Sequence, residues 1–477
     1  MSTPLVYTPI DEIPQIHQDL KQAFATGKSR GIQWRKQQIL GLWHLVEDNL
    51  DLLRKALYDD LGRAPDESDG TELNSLILEI KQAYDKVGKW SQTEKAAWHY
   101  MWFAMSPATR IEPKGVVLLI TPFNFPLYLI LAPFAAAIAA GNACVLKPSE
   151  GAPACATALA ELFPKYLDQS FYRVVNGGIP ENTKLLELQW DHILYTGNAN
   201  VAKIVCTAAA QHLTPVTLEL GGKNAAVFDP RVSNLKVAAK RLMWGKLTNA
   251  GQICMSPDYA IVPEHFQDTF VEACKQAYYE MHPKDPQETG NMARIVNDRH
   301  VQRVKRLLDG TKGEVVLGGK IDEETKFCEA TIVKNVKLDD ILMSEEIFAP
   351  ILPVIPVKDA DEAIKVINSL GNALVLHVFS SDAEFKKKIF DNTQSGLAVA
   401  NETLLHIQTV GIPFGGVGSS GYGATTGKAA FDQFVHRRGT IDSPFWLDAM
   451  MLYTRYPPYT PRNKTMLNMF MHPKPPA

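Results

Sequence analysis

This 477-residue sequence predicts an α/β protein built on doubly wound parallel sheets, and three observations carry that expectation. Short apolar runs at 116–120, 143–146, 173–176, 192–195 and 225–228 alternate with helical stretches such as 152–163 and 201–212. That is the strand–helix rhythm of a sheet covered on both faces. A second series of the same kind follows, from 235 to 379. The composition, 46% hydrophobic and 21% charged, is that of a folded globular chain.

Taken in order, residues 10–106 read as mostly helical. Ile13, Ile16, Leu20, Ala23 and Phe24 share one helical face, and 37–61 and 71–90 have the same character. The aromatic run 98–103 and the segment 110–112 read as strands. Residues 127–146, LYLILAPFAAAIAAGNACVL, have the length of a bilayer span. Pro133, Gly141 and Asn142 interrupt them and no basic flank precedes them, so the expectation is a buried helix between two strands. In the second series, 235–244, 265–279 and 298–308 read as helices, and 259–262, 313–317, 351–356 and 375–379 as strands. The run PFGGVGSSGYG at 413–423 is too rich in glycine for a helix and reads as an ordered loop. The tail after 441 is rich in proline and aromatic residues.

Length alone suggests roughly three domains. Lys plus Arg number 49 and Asp plus Glu 52, a formal charge of −3, which removes the electrostatic case for a nucleic-acid partner. The six cysteines, Cys144, Cys155, Cys206, Cys254, Cys274 and Cys328, form no CxxC pair and no zinc spacing. A reduced, cytoplasmic chain with no metal, no signal peptide and no membrane anchor is therefore expected.

Four segments could carry chemistry. Cys254 follows a glycine turn in NAGQIC and could be a reactive thiol, although a single cysteine is more often a small buried hydrophobe. Glu219 ends an apolar strand before a Gly-Gly turn, the setting of a general base with a raised pKa or of a salt-bridged glutamate. Lys147 and Glu150 in KPSE follow a strand and suit ribose hydroxyls, or an ordinary turn into a helix. Thr196-Gly197-Asn198 could open a helix whose N-terminus faces phosphate. Neither GxGxxG nor a P-loop motif is found with these segments. Asn124 is a lone amide in an apolar stretch.

Together, EPKGVVLLITPFNFPL, AGNACVLKPSE, YTGNANVAK, LELGGK, NAGQIC, SEEIFAP and PFGGVGSSGYGATTGKAAFDQFVHRR resemble, in order, the motifs of the aldehyde dehydrogenase superfamily. The TGN form of the third resembles the class 3, or fatty aldehyde dehydrogenase-like, branch. The sequence departs from the usual pattern at Ala202, at Ala349 and at Phe125.

The resemblance implies a Rossmann-type cofactor domain (1–93 and 113–220), an α/β catalytic domain (221–415), a small β bridging arm (94–112 and 430–450) and a tail (451–477). It implies oxidation of an apolar aldehyde, aromatic or medium- to long-chain aliphatic, to the acid through a cysteine thiohemiacetal and thioester. Cys254 would be the nucleophile, Asn124 the oxyanion donor and Glu219 the base for hydrolysis. Lys147, Glu150, Thr196, Gly197, Asn198, Val201, Glu346 and Phe348 would hold NAD, with NADP also accommodated. Phe125, Tyr128, Trp244, Thr248, Leu404, Ile407 and Phe414 would line the aldehyde tunnel. A short helix at 463–471 would gate it, and the enzyme would be a homodimer. Glu219 argues against the coenzyme A-acylating alternative, and retention of Cys254, Asn124, Glu219 and Glu346 against a non-catalytic structural member.

Overall fold

Val116–Ile120, VVLLI, is buried along its whole length, as a strand flanked by helices on both faces must be. In the structure, a computed structural model describing residues 5–450 and 452–471, it is a central strand of a six-stranded sheet. The order is Gly421–Tyr422, Val216–Leu220, His192–Gly197, Val116–Ile120, Ala143–Lys147, Tyr172–Val174. All pairs are parallel except that of Gly421–Tyr422 with Val216–Leu220. The chain runs outward from Val116–Ile120 on one side and from His192–Gly197 on the other. Their carboxyl ends therefore flank a switch-point crevice, the place where ligands settle in open α/β sheets.

The apolar stretch tested for a membrane span is the helix Tyr128–Ala140, closed by Gly141 in the left-handed conformation, then the strand Ala143–Lys147. Every residue of that helix except Leu129 is buried, which explains a composition without a polar face. Among the described residues no helix is long and apolar enough to cross a membrane.

The second series forms a seven-stranded sheet in the order Glu314–Leu317, Thr331–Lys334, Ile351–Val357, Tyr259–Pro263, Ala225–Phe228, Ala373–Phe379, Ser395–Ala400. Only its edge strand Glu314–Leu317 pairs antiparallel. Successive residues feed opposite cores: Val227, Ile261 and Val378 pack on one face, and Phe228, Val262 and Phe379 on the other. Both sheets belong to one compact unit, Met1–Val87 with Lys114–Phe434.

A second unit, Gly88–Pro113 with Val435–Ala477, holds a three-stranded antiparallel sheet in which Ala108–Pro113 lies between Glu94–Lys95 and Val435–Thr440. Residues 98–103 are not a strand. They form turns leading into the short helical turn Phe103–Met105, with Trp98, Tyr100 and Phe103 exposed. Aromatic strand propensity reflects packing on a sheet, and these side chains are exposed instead. The tail carries the helix Pro461–Met471.

Candidate active site

Glu219 lies in the strand Val216–Leu220, with Thr196 and Gly421 as its cross-strand partners. The run VTLEL has apolar neighbours on both sides, so the carboxylate is carried into the interior. It is 4% exposed, and neither oxygen has a hydrogen-bond partner. Burial pushes its pKa well above the usual 4.5.

The helix Leu235–Leu247 ends in the turn Thr248–Gly251, which delivers Cys254. Asn249 and Ala250 both sit at φ 52° and Gly251 at φ 72°. Left-handed backbone costs roughly 1–2 kcal/mol per non-glycine residue, so this loop must be held from outside. The Asn249 N–H donates to Glu67 Oε1 at 2.7 Å. Asn224 Nδ2 donates to the carbonyls of Cys254 (2.7 Å) and Ser256 (3.0 Å). His377 Nε2 lies 3.1 Å from the Met255 carbonyl. Glycine is required at 251, because a Cβ there would run into the Ala349 carbonyl. The Cys254 thiol is half-buried. Burial first, then the nearby carboxylates of Glu346 and Glu219, push its pKa up to about 12.

Asn124 follows the strand Val116–Ile120 and is 2% exposed. Its Nδ2 donates to the Gln252 carbonyl at 3.0 Å. A carboxamide has two N–H bonds, so one remains for a ligand. Its backbone carbonyl accepts from Arg63 Nη2 (2.5 Å) and Asn249 Nδ2 (2.9 Å), while its side-chain oxygen has no hydrogen-bond partner. Arg63, Asn249 and Gln252 were not singled out from the sequence. Only Asn249 and Gln252 lie in a segment the sequence marked, and Arg63 has no motif at all.

At the crevice, Lys147 ends its strand and donates to Glu150 Oε2 at 2.9 Å, with its side chain 2% exposed and that of Glu150 42% exposed. Thr196 and Gly197 end the strand His192–Gly197. Asn198 then caps the helix Ala199–Ala210 by accepting from the Val201 N–H at 3.0 Å. Val201 is exposed on that helix. Glu346 and Phe348 sit on a segment gripped from three sides. Arg303 donates to the carbonyls of Glu346 (3.0 Å) and Ile347 (2.6 Å), Asp258 accepts from the Ile347 N–H (2.9 Å), and Lys223 donates to the Glu345 carbonyl (3.1 Å). Phe348 is itself left-handed, at φ 49°. The Glu346 carboxylate lies against Gly221, where burial, then Asp258, pushes its pKa up to about 8.

A cavity of about 510 Å³ opens onto Cys254. Phe125, Tyr128, Trp244, Thr248, Leu404 and Ile407 all line it. Phe414 is not among its walls; it is buried, its ring stacked near that of His406 at 6.1 Å. Met255, Met281, Met292 and Leu129 add to the apolar lining, and Asp66, Glu67, Thr71 and Ser75 add polar atoms.

The sequence pattern of the "Aldehyde dehydrogenase family" matches residues 10–439. Beta-apo-4'-carotenal oxygenase of Neurospora crassa is 41% identical over 474 residues, covering 99% of this chain and 88% of that protein. The dimeric NADP-preferring aldehyde dehydrogenase of Rattus norvegicus is 40% identical over 92% of this chain and 96% of its own length. Aldehyde dehydrogenase family 3 member A2 of Mus musculus is 41% identical over 88% and 86%. Among solved structures, Staphylococcus aureus AldH in a substrate-bound state superposes with a TM-score of 0.93 at 36% identity, over 96% of this chain and 99% of that one. Glyceraldehyde-3-phosphate dehydrogenase GapN of Methanocaldococcus jannaschii, complexed with NADP, gives 0.82 at 27% identity, over 93% and 96%. By sequence and by fold, this chain belongs to the aldehyde dehydrogenase family of enzymes, in its class 3 branch.

Proposed function

We propose that the protein oxidises apolar aldehydes, aromatic or medium- to long-chain aliphatic, to carboxylic acids with NAD or NADP. The observation that carries this reading is Cys254 on the wall of an apolar cavity, with the Glu219 carboxylate near enough to raise its pKa and Asn124 bonded to Gln252, two residues before it. Its walls suit a hydrocarbon chain, and the nucleophile it exposes has a proton acceptor and a spare N–H donor in its surroundings.

A dinucleotide fits the residues present. Lys147 and Glu150 offer a cation and a carboxylate at a strand's carboxyl end, beside the switch-point crevice. That donor set suits ribose hydroxyls. The capped N-terminus of Ala199–Ala210, reached through Thr196, Gly197 and Asn198, suits a pyrophosphate, with Val201 beside it. Glu346 would take the second ribose, and Phe348 the face of the nicotinamide. The bound group would supply the hydride acceptor that oxidation requires.

The chain's own residues do the rest. Cys254 must lose its proton before it attacks the carbonyl carbon, and its raised pKa makes that the costly step near neutral pH. That proton passes to solvent, while Glu219, its carboxylate desolvated and unpartnered, serves the later hydrolysis. Attack forms a sulfur–carbon bond and places negative charge on the carbonyl oxygen. The free N–H of Asn124 and the backbone N–H of Cys254 would stabilise that oxygen, each worth roughly 3–4 kcal/mol by comparison with other oxyanion holes. After oxidation a thioester remains on Cys254. Glu219 then takes a proton from water, which attacks the thioester and releases the acid and the thiol.

The test is NAD(P)H formation with hexanal and benzaldehyde. Cys254→Ala should abolish it, and near-normal turnover by that variant would overturn the reading.

A further inference from the structure

Arg63 is fully buried, and so is its counter-charge Glu72. The guanidinium spends its donors on a small set of acceptors. It pairs with Glu72 Oε2 through Nη1. It reaches Asn249 Oδ1 through Nε (3.2 Å) and Nη2 (2.9 Å), and the backbone carbonyl of Asn124 through Nη2 (2.5 Å). Its plane lies over the Phe125 ring, 4.5 Å from the centroid. Glu72 comes from a π turn, Asp69–Leu73, and its other oxygen accepts the N–H groups of Leu127 (2.7 Å) and Tyr128 (2.9 Å) where the buried helix begins.

These bonds close a ring. Arg63 and Asn249 share the Asn124 backbone carbonyl, while the Asn124 and Asn249 side chains both donate to the Gln252 carbonyl. The ring joins the segment that carries the oxyanion donor to the segment that carries the nucleophile, two residues before Cys254. A buried ion pair is by itself a weak source of stability, since its desolvation offsets its attraction. A rigid fork with five N–H bonds is instead suited to fixing the relative orientation of several acceptors.

We propose that Arg63 is a positioning residue for the attack step. It acts through Asn124 and Asn249, holding the Asn124 carboxamide in register with the sulfur of Cys254. The inference rests on the reading of Cys254 as nucleophile and Asn124 as oxyanion donor.

The experiment is a double-mutant cycle on the full chain with NAD and hexanal. Lysine at 63 keeps the charge but not the fork. Arg63→Lys should lower kcat by about 10–100-fold, the scale of an ångström's misplacement, with KM changed less than about threefold. In an Asn124→Ala background the same change should alter kcat less than about twofold, because the group it positions is gone. If Arg63→Lys does not fold, Asn249→Asp serves instead: aspartate has the same size and tolerates left-handed backbone, but cannot donate to the two carbonyls. It should show the same kcat loss and the same insensitivity in the Asn124→Ala background. Near-normal kcat, or losses that multiply in the double variants, would overturn the proposal. Cys254→Ala run in parallel separates the two levels. Turnover by Cys254→Ala sinks the site reading, whereas a dead Cys254→Ala beside a fully active Arg63→Lys sinks only the role of Arg63.

Discussion

Asn124 donates from its carboxamide nitrogen to the carbonyl oxygen of Gln252 at 3.0 Å, so the proposed oxyanion donor is anchored to the segment that presents Cys254. The two parts of the attack site come from different sheets of one compact unit and meet through this bond. Asn124→Ala should therefore lower kcat by about 10²–10³-fold with little change in KM, the cost of losing one oxyanion donor. Steady-state kinetics at saturating cofactor measure this. A loss confined to KM would assign Asn124 to substrate binding instead.

The cavity wall makes a prediction about substrates. Trp244 lines it, and removing a large apolar side chain forfeits about 1.5–3 kcal/mol of contact, roughly 10–150-fold. Trp244→Ala should lower kcat/KM for hexanal by that factor and leave acetaldehyde nearly unchanged. Equal losses on both would place the long chain elsewhere.

Glu219 makes a prediction about stability. Its folded-state pKa is raised by burial, so its protonated form favours the fold. That advantage is complete below the unfolded value of 4.5 and fades as pH rises toward the folded value. Glutamine has no charge to lose. Glu219→Gln should accordingly raise Tm, by about 1–3 °C at neutral pH, and the gain should grow between pH 5 and neutrality. Thermal melts across that range test it. A gain that shrinks with rising pH would have the wrong sign.

At the crevice, the Glu150 carboxylate is half-exposed and paired with Lys147. A carboxylate there would repel a 2′-phosphate. Glu150→Gln should shift the ratio of kcat/KM for NADP over NAD upward by about tenfold, and an unchanged ratio would remove Glu150 from cofactor selection.

Much of this was legible in the sequence because the chemistry and the local pattern coincide. The run VVLLI reads as a strand buried on both faces, and the almost wholly apolar stretch YLILAPFAAAIAA, interrupted by proline, as a buried helix. The motif residues Cys254, Glu219 and Asn124 lie close to apolar elements whose ends the sequence marks with glycine or proline. What was not legible depended on distance or on absent packing. Residues 98–103 have strand composition but remain exposed turns. Thr331–Lys334 and Ser395–Ala400 are short strands whose polar and small residues hid them. Phe414 is buried and absent from the cavity lining. Arg63 meets Asn249 across 186 positions of sequence. No local spacing announces that contact.

The most direct measurement is intact-mass spectrometry of Glu219→Gln mixed with NAD and hexanal, followed by peptide mapping. Without Glu219 to activate water, the account predicts a hexanoyl thioester trapped on Cys254 and absent from the Cys254→Ala, Glu219→Gln double variant. An unmodified Cys254 in a variant that still forms one equivalent of NADH, or an acyl group on another cysteine, would contradict it.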